Sequence, residues 1–307
     1  MAYVYLWGDM VSKLKISLII ILVLGLAVLG FYYAKSLPTR YAVFAGYNTH
    51  GKISPYVISY LKGLNEVCDG VVYIADSPLL KKERQKLKGL VMYTAHKRHK
   101  EYDFGSYKRG FKWLKDNGYL EKADELIFAN DSTYAPMTSF KPMFKKMALR
   151  PELDFWSNTQ NSRFTQHLQT YFIVFRKRVI NSKAFAIFLN DVKHQQDSSL
   201  YITEYEIKLT PLLDSLGYKW DSYIPYDEFK DFELPDNNSY PLTLLSKYHN
   251  QFLKRRTFTK DLDVREDKEQ VLEYVKKNYP ARYKEIIDDI NNPNKRMKHV
   301  RLFKAKH

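Results

Sequence analysis

Short apolar runs alternate along this chain with stretches whose apolar residues recur every three or four positions. The runs at 41–45, 70–75, 90–93 and 126–129 are typical of buried strands. The stretches at 53–66 and 79–87 lie between them and have helical periodicity. Strands that alternate with helices at this spacing predict an α/β fold with a parallel, doubly wound sheet flanked by helices.

An uncharged apolar segment precedes this pattern. Residues 16–34 carry no charged side chain, and about 20 apolar residues suffice for a helix that spans a bilayer. Tyr32 and Tyr33 at its end suit a membrane interface. Because the run is long and no small-x-small cleavage site follows it, we predict an uncleaved transmembrane anchor at 16–34, with residues 1–15 as its flank. Lysines on both sides of the span leave its orientation open.

The charge of the chain narrows its possible partners. In 307 residues, 49 Lys and Arg exceed 34 Asp and Glu, for a net charge of +15. Such a charge suits anionic lipid head groups, nucleotide diphosphates or nucleic acid. The sequence has no zinc-finger spacing, RNA-binding signature or Arg-rich arm, so nucleic acid is not expected as a partner. One cysteine, Cys68, excludes an intrachain disulfide framework.

The strand predicted at 126–129 ends in three small polar residues, Asn130, Asp131 and Ser132. In open α/β sheets, ligands bind beyond the carboxyl ends of the strands. A carboxylate there can hold a metal ion or a sugar hydroxyl. The alternative is that Asp131 only caps the following turn.

A second polar group follows the third predicted strand. The basic cluster at 96–100 can attract a diphosphate or can simply be a solvated loop. Asp103 is placed to cap the helix that follows. Gly105 at the start of this helix permits a ligand to approach the backbone, and helix N-termini favour phosphate.

Two further segments carry candidate chemistry. A strand within 166–175 would return His167 and Gln169 to the edge that holds Asp131, although a lone His is more often structural. In the helical stretch 201–216, Glu206 lies on the apolar stripe of Ile202 and Leu209. An inward carboxylate is costly and its pKa tends to rise, which makes Glu206 the best general-base candidate.

Pro211 complicates the helix that carries Glu206. It either kinks the helix or starts a new one with Thr210 as its cap. In the second case Glu206 would lie on the preceding turn. Beyond residue 226 the chain becomes loop-like and then helical and basic. We therefore predict an α/β domain at 40–226 and a helical, basic C-terminal extension at 227–307, whose charges either dock on an anionic membrane or are solvated.

The candidate residues lie in blocks that follow one another in this order: Tyr102-Asp103-Phe104-Gly105-Ser106-Tyr107-Lys108-x-Gly110, Ala129-Asn130-Asp131-Ser132-x-Tyr134-x-Pro136, His167-x-Gln169-Thr170-Tyr171-Phe172-x-Val174-Phe175, Tyr205-Glu206-x-x-Leu209-Thr210-x-x-Leu213 with Gly217-Tyr218, and Phe252-Leu253-Lys254-Arg255 followed by Tyr279-Pro280. Through these blocks, residues from about 41 to 290 resemble the rhamnan synthesis protein F family, glycosyltransferase-like proteins of bacterial cell-wall polysaccharide and lipopolysaccharide assembly. The membrane span is not part of the family pattern.

The resemblance implies a GT-A-like (Rossmann-like) α/β fold with a mixed, mainly parallel sheet, and a glycosyltransferase that moves rhamnose or a related sugar from a nucleotide-sugar donor to a glycan or lipid-linked glycan acceptor. The implied reaction is an inverting single displacement with Glu206 as base. Asp131 takes the place of the Asp-x-Asp that holds Mg²⁺ or Mn²⁺ in that fold, although Asn130 and Ser132 flank it here, and nearby Lys or Arg could replace the metal. The implied donor-binding residues are Asp103, Gly105, Ser106, Tyr107, Asn130, Asp131 and Ser132. The implied substrate-binding residues are His167, Gln169 and Tyr134.

Two other functions are compatible with the sequence. One is a non-catalytic, membrane-anchored module that binds glycan or scaffolds a synthesis complex, because the Asp-x-Asp is missing and the anchor is added. The other is a sugar-phosphate transferase, which shares the affinity for polyanions. A transferase that uses nucleotide sugars must face the cytoplasm, so we expect a single-pass protein of the bacterial inner membrane with its catalytic domain in the cytoplasm.

Overall fold

The computed structural model describes residues 15–26, 37–162, 164–197, 199–227, 239–258 and 264–291. The chain divides after Pro38 into two compact units. In the first unit, residues 15–26 form helix α1, whose apolar side chains are exposed. Among the residues that are described, no helix is long and apolar enough to cross a membrane. The predicted anchor is therefore not supported by the structure, and its part at 27–34 lies outside the described residues.

The second unit is built on a mixed, mainly parallel sheet of seven strands, in the order β10-β6-β9-β4-β1-β2-β3. Two small antiparallel pairs, β5 with β11 and β7 with β8, lie outside it. The strands are β1 (Arg40–Gly46), β2 (Gly70–Ala75), β3 (Tyr93–Ala95), β4 (Glu125–Asn130), β5 (Thr133–Tyr134), β6 (Phe155–Ser157), β7 (Gln160–Asn161), β8 (His167–Leu168), β9 (Phe172–Arg176), β10 (Trp220–Ser222) and β11 (Leu253–Lys254).

The mixed, mainly parallel sheet that the resemblance implies is confirmed, and it differs at one strand from the parallel sheet that the alternating pattern alone predicts. β9 runs antiparallel to its neighbours β4 and β6. The chain passes from β6 to β9 through the β7–β8 hairpin and not through a crossover helix. A parallel pair needs a long crossover, whereas a hairpin reverses the chain.

Helices cover both faces of the sheet. They are α2 (Pro55–Asn65), α3 (Lys81–Gln85), α4 (Tyr102–Asp116), α5 (Lys141–Ala148), α6 (Lys177–Ile180), α7 (Lys183–Asn190), α8 (Ser199–Tyr201), a π-helical turn (Ile202–Glu206), α9 (Ile207–Ser215), α10 (Pro241–Lys247), a 3-10 turn (Arg255–Phe258), α11 (Lys268–Asn278) and α12 (Pro280–Ile290).

The alternation of side chains along β4 divides the core into two layers. Ile127 and Ala129 belong to the layer that contains α2, α5, α11 and α12. Leu126 and Phe128 belong to the layer that contains α4, α7 and α9. Because successive residues of a strand point to opposite faces, one apolar run supplies both layers.

The helical stretch that the sequence predicts at 201–216 is continuous in the structure, through α8, the π-helical turn and α9. In 201–216, Pro211 lies inside α9 and the π-helical turn precedes it. Thr210 does not start a new helix, because it lies inside α9; its Oγ1 instead accepts a hydrogen bond from the Leu168 amide at 3.0 Å.

The segment that follows residue 226 contributes directly to the sheet unit. β11 pairs with β5, with Leu253 opposite Tyr134 and Lys254 opposite Thr133. Val271 of α11 and Ile286 of α12 are fully buried in the layer that contains α2. This pairing brings Lys254 close to the carboxyl end of β4.

Candidate functional site

Asp131 lies directly after β4, at the edge where the carboxyl ends of β1 and β4 meet. Its amide donates to the Ala45 carbonyl at 3.2 Å. Its Oδ2 accepts a hydrogen bond from the Tyr47 amide at 2.9 Å. These two contacts hold the carboxylate at the position where open α/β sheets bind ligands.

Asn130 connects the end of β4 to the start of α4. Its Nδ2 donates to Oδ2 of Asp103 at 2.7 Å, and its Oδ1 accepts from Ser132 Oγ at 2.6 Å. The side chain is buried. An amide with both ends satisfied orients Asp103 and Ser132 towards the same edge as Asp131.

Asp103 has a strongly perturbed acidity. Burial raises the pKa of its carboxyl, and the nearby Asp131 and Glu206 charges raise it further; Lys254 and Asn130 lower it only in part, so the pKa is about 7. A carboxyl with this pKa exists in both protonation states at neutral pH, as general acid–base catalysis requires.

Glu206 is the last residue of the π-helical turn and lies near Asp103. Its Oε2 accepts hydrogen bonds from the Thr170 hydroxyl at 2.5 Å and the Thr170 amide at 3.3 Å. Nε2 of His167 lies 3.8 Å from its Oε1. Burial alone raises its pKa, but His167, Thr170 and Lys254 together lower it from 4.5 to about 2. The expected direction of the shift was therefore wrong, because these partners outweigh the burial.

The low pKa of Glu206 predicts a loss of stability in acid. A carboxyl whose pKa is lower in the folded than in the unfolded protein stabilises the fold above its unfolded pKa, and that stabilisation disappears as the pH falls from about 4.5 to about 2. We expect Glu206→Gln to weaken this pH dependence in urea unfolding curves. The matched control is Glu204→Gln. Glu204 lies in the same π-helical turn as Glu206, and its carboxylate pairs with Lys208. Equal pH dependence in Glu206→Gln and wild type would contradict the assignment.

Lys254 and Arg255 bring positive charge to this edge. Nζ of Lys254 lies 3.5 Å from Ser132 Oγ and 3.6 Å above the centre of the Tyr171 ring. Nη1 of Arg255 donates to the Asp131 carbonyl at 3.3 Å. Sequence reasoning named neither residue as part of the site; the only signal was their place in the Phe252–Arg255 block of the resemblance.

Arg255 belongs to a buried network behind Asp131. Its Nε and Nη2 both lie 2.9 Å from Oδ2 of Asp289 on α12. The same carboxylate accepts from the Tyr134 hydroxyl at 3.0 Å. The Tyr56 hydroxyl donates to the Asp131 carbonyl at 3.1 Å. The C-terminal helix α12 thus supports the backbone that carries Asp131.

Asp76, directly after β2, organises the predicted basic loop. Its Oδ1 accepts from the amides of His99 and Lys100 at 2.6 and 2.8 Å, and its Oδ2 accepts from Arg98 at 2.8 Å. The Arg98 guanidinium lies 5.0 Å from the centre of the Tyr47 ring. Asp76 therefore holds the loop at the sheet edge through these hydrogen bonds. Arg98 is partly exposed and lies beside Tyr47, whose amide binds Asp131.

Several predicted ligand residues instead support the site from within the protein. Tyr107 is fully buried, stacks on Phe128 and donates to the Thr170 carbonyl at 3.0 Å. Gln169 is buried, and its Oε1 accepts from Thr159 Oγ1 at 2.6 Å. Tyr134 is buried against Asp289. These side chains are buried and contact other protein groups beside the edge.

The residues predicted to bind a ligand at the start of α4 and on β8 also contact other protein atoms. A Cβ on Gly105 would lie 2.2 Å from Glu101 Cβ and 2.8 Å from His99 Nδ1, so protein atoms already occupy the space expected for a ligand. Ser106 is buried, with Oγ 3.0 Å from His99 Nε2. His167 is buried, and its Nδ1 lies 2.7 Å from the Thr165 carbonyl. Its other nitrogen faces Glu206.

In the part of the chain that the structure describes, protein side chains alone do not form a metal site at this edge. Among the described residues, no group of three His, Cys, Asp or Glu side chains is arranged to hold a metal ion. A cation here would need most of its ligands from a bound molecule.

Comparison with known proteins identifies relatives of this chain. The model of a family described as rhamnan synthesis protein F matches residues 71–300. An uncharacterized protein y4gN of Sinorhizobium fredii is 26% identical over 168 residues, covering 53% of this chain and 43% of its own length. The virulence protein VirA of Vibrio anguillarum is 26% identical over 195 residues, covering 61% and 60%. The chain thus spans only about half the length of these curated relatives.

Solved structures show weak overall similarity. A cytidylyltransferase of Leptospira borgpetersenii has a TM-score of 0.39 at 14% identity, covering 80% of this chain and 97% of that one. The mannosyltransferase Ktr4p of S. cerevisiae has a TM-score of 0.36 at 8% identity, covering 58% and 66%. A glycosyltransferase that acts in glycosylation of the major capsid of PBCV-1 has a TM-score of 0.38 at 11% identity, covering 78% and 100%.

Proposed function

Because this chain belongs to the rhamnan synthesis protein F family, we propose that it is a glycosyltransferase with a GT-A-like fold. It moves rhamnose or a related sugar from a nucleotide-sugar donor to a growing cell-surface polysaccharide. The observation that carries this proposal is the convergence of Asp103, Asp131 and Glu206 with Lys254 at the carboxyl edge of the sheet. At this edge the carboxylates can accept hydrogen bonds from sugar hydroxyls, and the Lys254 ammonium can bind a diphosphate.

The proposed reaction is a single displacement with inversion. A carboxylate takes the proton of the acceptor hydroxyl as its oxygen attacks the anomeric carbon, and the bond to the donor phosphate breaks. The sequence favours Glu206 as this base. In the structure its pKa of about 2 suits a permanently ionised group that orients His167 and Thr170. Asp103, with a pKa of about 7, is better matched to proton transfer at neutral pH.

A divalent cation is compatible with this edge in a restricted form. Mg²⁺ is commonly held by one or two carboxylates together with substrate phosphates. Asp131 fits this arrangement as a single ligand, because its Oδ2 is oriented by the Tyr47 amide at a strand end. Such a cation, when bound, would supply positive charge to the donor diphosphate.

The role of Asp131 predicts a metal effect that does not depend on turnover. We expect Mn²⁺ to tighten the binding of a nucleoside diphosphate to the wild type by about tenfold, or about 1.4 kcal/mol, because the anion then completes the ligand set. Asp131→Asn should lose this gain in calorimetric titrations with Mn²⁺ or EDTA. Asp116→Asn, at an exposed helix end, is the control. An undiminished Mn²⁺ effect in Asp131→Asn would remove Asp131 from the cation site.

The function is tested with a panel of nucleotide sugars. The transferase proposal expects that at least one donor stabilises the protein against heat and is hydrolysed or transferred. Tight glycan binding without affinity for any donor would favour the non-catalytic module, and phosphate retained in the product would favour a sugar-phosphate transferase. A location at the inner membrane with a cytoplasmic catalytic domain is part of the proposal; a C-terminal reporter exposed to the periplasm would contradict it.

A further inference from the structure

Lys254 reaches the site from a part of the chain far from the other residues. It lies on β11, opposite Thr133 of β5, and the next amide, Arg255 N, donates to the Ser132 carbonyl at 3.0 Å. The backbone of Lys254 is therefore fastened to the residues that immediately follow Asp131. Its position depends on strand pairing and not on a flexible loop.

The ammonium group of Lys254 is also held in place. Nζ lies 3.6 Å above the centre of the Tyr171 ring and 3.5 Å from Ser132 Oγ. A cation over an aromatic face is attracted by the negative face of the ring, and more strongly when it is shielded from water. Tyr171 in turn is buried, with its hydroxyl 2.8 Å from Thr159 Oγ1. The lysine is thus oriented before any ligand arrives.

Lys254 lies close enough to both candidates for the base, Asp103 and Glu206, to act on them electrostatically. Through Ser132 and Asn130 it connects to Asp103, and through Tyr171 it adjoins Thr170, which binds Glu206. Its charge lowers the pKa of both carboxyls. The Arg255 guanidinium is paired with the buried Asp289. Lys254 therefore brings the positive charge to the carboxylate cluster itself.

We propose that Lys254 binds the diphosphate of the donor and donates a hydrogen bond to the oxygen that leaves the sugar. This inference rests on the proposed function and assigns the group that stabilises its leaving group. Lysine is a compact cation that binds phosphate as a point charge. Fixed charge aimed at the place where negative charge develops lowers the barrier of group transfer.

The step balances without a further reactant. The bond between the acceptor oxygen and the anomeric carbon forms as the bond between that carbon and the phosphate oxygen breaks. The electron pair of the broken bond stays on the nucleoside diphosphate, whose new negative charge meets the Lys254 ammonium. The acceptor proton goes to the base carboxylate, and Lys254 keeps its own protons.

The first measurement is calorimetric binding of inorganic pyrophosphate and of UDP, GDP and dTDP in EDTA. We expect Lys254→Met to weaken binding at least about tenfold, and Lys254→Arg, which keeps the charge, to stay within about threefold of wild type. Lys112→Met removes an exposed lysine on α4 and should bind like wild type. Circular dichroism and thermal unfolding verify that each variant is folded.

The second measurement is turnover with the donor identified from the nucleotide-sugar panel. Lys254→Met should lower kcat by about 10²–10³-fold, the loss typical of removing one group that stabilises developing negative charge, and Lys254→Arg should recover part of it. Unchanged pyrophosphate and nucleotide binding in Lys254→Met, or no binding of these probes to wild type, would overturn the inference. Lys254-dependent binding without transfer or hydrolysis of any nucleotide sugar would refute the proposed function and leave the anion site standing.

Discussion

Asp103→Asn is expected to lower the rate of sugar transfer at pH 7 by about 100-fold or more, the usual contribution of a positioned general base. Asp103 is a partly exposed carboxyl at the start of α4, oriented by Asn130 and with a pKa raised to about 7 by burial and by the Asp131 and Glu206 charges. An amide of the same shape keeps the packing and accepts no proton.

The pH dependence of kcat/KM separates Asp103 from Glu206. If Asp103 is the base, the wild-type rate falls as the pH drops below about 7, because the carboxyl becomes protonated. If Glu206 is the base, the rate persists to a much lower pH, since the pKa of Glu206 is about 2. Asp116→Asn is the control for a lost carboxylate on α4. Full activity in a normally folded Glu206→Gln would exclude Glu206 as the base, and full activity in Asp103→Asn would exclude Asp103.

Asp289→Ala is expected to destabilise the protein by about 3–5 kcal/mol, the usual effect of removing one partner of a buried ion pair. The change leaves the Arg255 guanidinium without its carboxylate and the Tyr134 hydroxyl without its acceptor. Urea unfolding monitored by circular dichroism measures the free energy of unfolding.

Two further variants test whether the loss of stability comes from the Arg255–Asp289 ion pair. Asp288→Ala changes the exposed neighbouring residue and should stay within about 0.5 kcal/mol of wild type. Arg255→Met combined with Asp289→Leu should recover much of the loss, because no unpaired charge stays buried. A loss below about 1 kcal/mol in Asp289→Ala would mean that the pair contributes little.

The same pair connects stability to the site. Arg255 donates to the carbonyl of Asp131, so a displaced guanidinium removes one support of that backbone. Asp289→Ala should therefore impair donor binding even at temperatures where the variant is folded. The segment after residue 226 would then be required for the site.

Local patterns were sufficient for the elements that depend on neighbouring residues. The apolar run at 126–129 became β4 because side chains buried on both faces of a sheet form a continuous apolar stretch. Asp131 and Ser132 lie at the carboxyl edge of the sheet because they directly follow this strand. Glu206, which the stripe placed inward, contacts Thr170 from a π-helical turn and is partly exposed.

Tertiary structure decided what surrounds those positions. Lys254 meets Ser132 across 122 residues of sequence, and Asp289 meets Tyr134 across 155; no local period encodes either contact. The stripe indicated that Glu206 faces inward but not that Thr170 and His167 would be its partners, so the direction of its pKa shift was missed. Burial follows from a periodic pattern within one element, whereas charge and acidity depend on groups that only the folded chain brings within a few ångströms.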